Sequence, residues 1–244
     1  MSGNKQYVQA TRHPWPNLLF LIPLLTLYEA GIQCSGSNQG QAVRNGADAW
    51  LRWVLDVYGV TPLLAAPLII LSVFVLWSLK RWQDRPERAV PVVFGICFES
   101  VLWAFGLWAI GHNFVAITRS LGIPIAALEI SFRDDVLTQI LTFVGAGIYE
   151  EVLFRLFIIT GLAALLKCAF VPNWLALLLA AIGSAFLFAA AHHFGPHGEP
   201  LDTFRFIYRV VAGLYFATLF WLRGFGVAVG AHALYDVFVG VTPR

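Results

Sequence analysis

Long stretches with almost no charged side chain dominate this sequence. A bilayer core about 30 Å thick is crossed by a helix of roughly 20 apolar residues, and each stretch has at least about that length. Backbone in hydrocarbon must satisfy its own hydrogen bonds, which a helix does within one segment. The sequence therefore predicts an all-α fold, a polytopic transmembrane helix bundle of about seven spans. The predicted spans are 14–32, 61–79, 90–111, 135–166, 172–194, 204–222 and 224–241.

The composition agrees with a membrane protein and excludes several other classes. Charged residues make up 12% of the chain and hydrophobic residues 59%, whereas soluble domains are about a quarter charged. A net charge of +2 without a long basic run argues against nucleic acid as a partner. The three cysteines are scattered and lack the spacing of a metal site or a disulfide framework.

Two segments between the spans are predicted to behave differently. Residues 47–58 have one apolar helical face, formed by Trp50, Trp53, Val54 and Val57. Asp48, Arg52 and Asp56 lie on other faces. This pattern predicts a short amphipathic helix in the membrane interface. Residues 112–134 form a mixed connection whose apolar part, 121–130, would raise the count to eight spans if it enters the bilayer.

Ionisable residues inside spans carry the strongest functional signal, because each is costly at membrane depth unless paired or hydrated. The stretch 135–166 is predicted to be either one long tilted helix or two helices broken at Gly145 and Gly147. It contains Glu150, Glu151 and Arg155. Glu151 and Arg155 are four residues apart, so they share a helical face and can pair.

The neighbouring carboxylate has a different environment. Adjacent residues on a helix diverge by about 100°, so Glu150 points away from Arg155. We interpret Glu150 as a carboxylate able to take a proton from water, and the alternative is an internal salt bridge that only fixes helix packing.

Two further groups lie in later spans. FAAAH at 188–192 brings small residues, which allow close helix packing, and a histidine at the end of its span. His193 competes with His192 for this position. HALYD at 232–236 places His232 and Asp236 on one face, where the carboxylate can orient the imidazole. Together the three groups predict one hydrated cavity, because convergence offsets the cost of burying each.

These three motifs resemble the CAAX protease and bacteriocin-processing family, also called CPBP or Abi intramembrane proteases. The family signature is EExxxR, FxxxH and HxxxN on successive transmembrane helices, and this chain has EEVLFR, FAAAH and HALYD in that order. The resemblance implies a CPBP-like catalytic helix core at 135–244, preceded by transmembrane helices and loops at 1–134. It also implies a multi-pass protein of a bacterial-type cell membrane.

The resemblance further implies a glutamic endopeptidase that cleaves a membrane-associated protein or peptide, prenylated or plain. Glu150 would activate the attacking water, supported by Glu151 and Arg155. His192 would bind water or handle protons. His232 and Asp236 would stabilise the oxyanion.

The residue at 236 departs from the family motif, which usually has Asn. An ionised aspartate accepts hydrogen bonds and cannot donate them. Either Asp236 stays protonated, or it orients His232 and the histidine alone donates.

Other readings of the same residues stay open at this point. Histidine and glutamate are also zinc ligands, but no HExxH helix is present, so we predict a site without cofactor or metal. A non-catalytic immunity or scaffolding protein would keep the motifs for stability or binding. A proton-coupled transporter would use Glu99, Glu150 and His232 as a relay, although no inverted repeat supports it.

Overall fold

The computed structural model describes residues 2–34, 44–60, 62–121, 136–194 and 198–241. These parts of the chain are helical and contain no β-strand. The α-helices are α1 (Ser2–Thr11), α2 (Pro14–Cys34), α3 (Gly46–Val57), α4 (Pro62–Lys80), α5 (Ala89–Ser120), α6 (Val136–Glu151), α7 (Thr160–Cys168), α8 (Asn173–Ala191), α9 (Thr203–Arg223) and α10 (Phe225–Val241). A 3₁₀ turn covers Trp82–Asp84, and a π-helical segment covers Val152–Ile159.

The helices have the lengths and hydropathy of an integral membrane protein. Four of them, α2, α5, α8 and α9, are long and apolar enough to cross a bilayer, and shorter apolar helices cover Leu64–Lys80 and Phe225–Gly240. The predicted all-α polytopic bundle is confirmed, and the number of about seven spans stays a prediction. Helix α5 continues to Ser120, so the first part of the predicted 112–134 connection is helical, and 122–134 lies outside the described residues.

The exterior of α5 illustrates how the bundle meets lipid. Phe94, Phe98, Leu102 and Phe105 recur at helical spacing and are more than half exposed. On the opposite face, α5 buries smaller residues against α10, its largest packing partner. An apolar outer surface of this kind is stable in hydrocarbon and would be an aggregation liability in water.

The chain from Val136 to Cys168 is one continuous helical run. The predicted break at Gly145 and Gly147 is wrong, and the alternative of a single long helix is confirmed. Instead of a break, the run widens into the π-helical segment directly after Glu151. π-helical segments are rare in proteins, and those that occur are often located at functional sites.

The two glycines of α6 allow neighbouring side chains and backbone to approach closely. A Cβ at Gly147 would lie 2.8 Å from the carbonyl oxygen of Val229 and 2.9 Å from the backbone nitrogen of Ala233, both in α10. At Gly145 it would collide with the ring of Tyr28. Small residues at helix interfaces permit this kind of packing in membranes.

Gly147→Ala is therefore expected to destabilise the protein by about 1–3 kcal/mol, because backbone rather than a flexible side chain must move. Gly161→Ala, in α7 of the same helical run, meets nothing within 4 Å and serves as the control. Thermal unfolding in detergent, followed by tryptophan fluorescence, measures both. Equal unfolding midpoints for the two variants would contradict the close contact with α10.

Helix α3 confirms the predicted helix at 47–58 but has an unexpected orientation in the bundle. Its Asp48 and Arg52 side chains are buried, whereas Trp53, Val54 and Val57 are exposed. Two of the three charged residues thus face protein instead of water, because α2 and α6 offer them polar partners. The interfacial position of this helix stays a prediction.

Candidate active site

The three sequence motifs converge at one place between α6, α8 and α10. Glu150 and Glu151 end α6, and Arg155 lies one turn later in the π-helical segment. His192 caps the C-terminus of α8, and His232 lies inside α10. Glu150, Glu151, Arg155 and His232 are all buried. The predicted convergence of the motifs is confirmed, and the hydrated cavity stays a prediction.

Glu151 is the centre of the buried charge arrangement. Its side chain has no exposed surface, its Oε2 lies 3.1 Å from Nε of Arg155, and its Oε1 lies 2.8 Å from Nδ1 of His232. The predicted pairing of Glu151 with Arg155 is therefore confirmed. A buried carboxylate needs such partners, since an unpaired charge in the interior is very costly.

Arg155 is held by polar and aromatic contacts from two other helices. Its Nη2 donates a hydrogen bond to the Gly213 carbonyl oxygen at 3.2 Å. The guanidinium carbon lies 5.1 Å from the ring centroid of Phe188 and 5.7 Å from that of Phe216, within cation–π range. These contacts fix the cation that neutralises Glu151.

The two carboxylate oxygens of Glu150 have different surroundings. Oε1 accepts a hydrogen bond from Nδ2 of Asn45 at 2.6 Å. Oε2 lies 4.0 Å from Nε2 of His192 and 3.8 Å from Nε2 of His232. Among the described residues, this oxygen is buried without a hydrogen-bond partner. It is therefore an acceptor facing two imidazole nitrogens across a gap.

The contacts of the two adjacent histidines separate their roles. Nδ1 of His192 donates to the Phe188 carbonyl oxygen at 2.8 Å. In the neutral ring, this bond leaves Nε2 as an acceptor that faces Glu150. His193 instead donates from Nδ1 to the Glu199 carbonyl oxygen at 2.9 Å. The geometry thus favours His192, as the FxxxH register predicts.

His232 is oriented by a different carboxylate from the one predicted. Its Nδ1 donates to Glu151, whereas its Nε2 lies 3.6 Å from Oδ2 of Asp236, beyond hydrogen-bond distance. Phe216 stacks on the imidazole at 4.4 Å between ring centroids. Asp236 is one quarter exposed, so it borders the gap instead of fixing the ring.

Glu199, which precedes α9, contacts the end of α8 next to His192. The backbone N–H of Glu199 donates to the His192 carbonyl oxygen at 2.9 Å. Burial opposes ionisation of Glu199, but hydrogen bonds from Arg209 and Arg205 outweigh it and hold the pKa of this carboxyl below its usual value. Glu199 thus ties the end of α8 to α9.

Sequence reasoning missed Asn45, Phe216 and Glu199. Each lies outside the three motifs and contacts the site from another helix or loop. No local sequence pattern therefore identifies it. Conversely, Glu99 of the hypothetical proton relay is bound by Arg223 through two hydrogen bonds instead of by a motif residue.

A bound zinc ion takes three or four protein ligands that converge on one point. Across the described ranges, no group of three or more His, Cys, Asp or Glu residues is arranged to hold a metal ion. The predicted absence of a cofactor stays a prediction.

Comparisons with known proteins agree with the motifs. Residues 132–238 match the family model described as Type II CAAX prenyl endopeptidase Rce1-like. Searches of curated proteins and of solved structures gave no match. The matched part is somewhat less than half of the chain and contains all six candidate residues. The family recognised from the motifs is thereby confirmed as a match over residues 132–238, the part of this integral membrane protein that is similar to the Rce1-like type II CAAX prenyl endopeptidases.

Proposed function

We propose that this protein is an intramembrane glutamic endopeptidase, which hydrolyses a peptide bond of a membrane-associated protein or peptide without a metal ion. The family match supports a peptidase in general. The observation that carries the glutamate mechanism is the position of Oε2 of Glu150, which faces Nε2 of both His192 and His232 and has no hydrogen-bond partner within the described part of the chain.

Oε2 of Glu150 and Nε2 of His192 are 4.0 Å apart, too far for a direct hydrogen bond, and we place a bridging water between them. A water bound here donates one hydrogen to Oε2 of Glu150 and the other to Nε2 of His192. Its lone pair is then free to attack a peptide carbonyl carbon. Glu150 accepts the proton as the new C–O bond forms.

The attack leaves a negative charge on the former carbonyl oxygen. We assign its stabilisation to Nε2–H of His232 in its imidazolium form, in which both ring nitrogens carry a proton. Nδ1–H of that ring donates to Glu151, which Arg155 pairs, so the ring is fixed and its positive charge is balanced. Asp236 donates a second hydrogen bond if it is protonated. Glu150 then returns its proton to the leaving amine, which breaks the C–N bond and restores the carboxylate.

The test is cleavage of fluorogenic peptides by the purified protein in detergent. Prenylated and plain peptides are compared, with and without chelator, for the wild type, Glu150→Ala and Glu151→Ala. We expect cleavage that survives chelation and disappears in both variants. Loss of activity on chelation, restored by zinc, would reject the metal-independent mechanism. Stable glutamate variants that still cleave would reject the glutamate mechanism.

Asp236→Asn is expected to preserve or raise the rate of cleavage, because an amide always has a donor where the carboxyl group needs a proton. Orientation of His232 does not depend on this residue, since Glu151 provides it. Comparison of kcat for Asp236→Asn and Asp236→Ala measures the donor role. An equal loss in both variants would favour an orienting carboxylate.

A further inference from the structure

Asn45 links the N-terminal part of the chain to the candidate active site. It lies outside the residues that match the family, just before α3. Its Oδ1 accepts a hydrogen bond from the backbone N–H of Ala47 at 2.8 Å, and its Nδ2 donates to Oε1 of Glu150 at 2.6 Å. One amide thus caps α3 and binds the proposed catalytic carboxylate.

The position of Asn45 is fixed by a buried polar cluster, which we call the α3 anchor. Asp48 accepts from Nε of Arg52 at 2.6 Å and from Tyr28 Oη at 2.8 Å. Glu29 accepts from Nη2 of Arg52 and from Tyr149 Oη, both at 2.7 Å. The members of the anchor are Tyr28 and Glu29 of α2, Arg44, Asp48 and Arg52 at α3, and Tyr149 of α6.

The α3 anchor has the properties of a rigid support. Its two carboxylates and two guanidinium groups balance in charge, and its hydrogen bonds connect three helices. Asn45 lies between Arg44 and Asp48, and Tyr149 directly precedes Glu150. Both partners of the Asn45–Glu150 hydrogen bond are therefore held by the same cluster.

We propose that Asn45 is a positioning residue for Glu150, an inference that rests on the proposed function. A glutamate side chain has several rotatable bonds, and a hydrogen bond to one oxygen fixes the direction of the other. With Oε1 bound to Asn45, Oε2 faces His192 and His232, where the attacking water is placed. Small displacements of a catalytic group cost large factors in rate.

The test uses Asn45→Ser and Asn45→Asp, which both keep a good N-cap for α3. Serine is too short to reach Glu150, and aspartate places an acceptor where the donor was. We expect kcat to fall about 10- to 100-fold for Asn45→Ser, the range of one hydrogen bond to a charged group. We expect at least as large a fall for Asn45→Asp. KM should stay unchanged, and Asn113→Ser, on the exposed side of α5, is the control.

A double-mutant cycle makes the result independent of the substrate. Asn45→Ser is expected to lower the unfolding midpoint by about 2–4 °C in the wild type and not in Glu150→Ala. Absence of this coupling would overturn the inference whether or not any peptide is cleaved. Coupling with an unchanged kcat in an active enzyme would overturn the positioning role and leave the proposed function intact.

Discussion

Glu150→Gln is expected to lower kcat for peptide cleavage by about 10²- to 10⁴-fold, the usual contribution of a general base. The substitution keeps the size of the side chain, and its amide oxygen still accepts the hydrogen bond from Asn45. The amide nitrogen replaces Oε2, however, and donates towards Nε2 of His192 instead of accepting a proton from water. Proton transfer from water is therefore lost, while the hydrogen bond from Asn45 is kept.

Steady-state cleavage and thermal unfolding, measured on the same preparation, check this result. The unfolding midpoint should remain close to that of the wild type, because only the unpaired side of the carboxylate changes. Glu87→Gln, the same change on an exposed residue of the loop after α4, controls for the loss of one negative charge. Full activity of a folded Glu150→Gln protein would exclude Glu150 as the base.

The motifs allowed the central part of the site to be predicted, because helical spacing is a local property. Four-residue spacing correctly paired Glu151 with Arg155 and turned Glu150 away from the cation. The same argument correctly placed His232 and Asp236 on one face, where their side chains lie 3.6 Å apart, but it did not identify the carboxylate that orients the imidazole. There, Glu151 from another helix makes the closer contact.

The remaining features of the site depend on tertiary packing that no single segment encodes. Asn45 lies 105 positions before Glu150, and a lone asparagine before a helix indicates only an N-cap. Likewise, the polar face of α3 predicts contact with water in an isolated helix. Buried partners on α2 and α6 reverse that expectation. Hydropathy correctly predicted that the apolar segments are helices, because it depends on composition along one segment, whereas the number of spans stays a prediction.

Arg155→Met is expected to destabilise the protein by about 3–5 kcal/mol, the cost of removing one partner of a buried ion pair. Methionine fills part of the volume between Phe188 and Phe216, so the main loss is electrostatic. Glu151 would keep its charge with only His232 as a partner. Unfolding in detergent measures the loss. Arg81→Met, which removes an exposed pair with Asp84, should cost no more than about 1 kcal/mol.

The double variant Glu151→Gln with Arg155→Met separates the electrostatic contribution of Arg155 to stability from the contribution of its packing. Removing both charges eliminates the uncompensated carboxylate, and a glutamine oxygen still accepts the hydrogen bond from His232. The double variant is therefore expected to recover most of the stability that Arg155→Met loses. It should nevertheless remain deficient in catalysis, because a neutral amide supports the charged form of His232 less well than a carboxylate does. If the double variant were as unstable as Arg155→Met, the role of Arg155 would lie in its packing against the two rings.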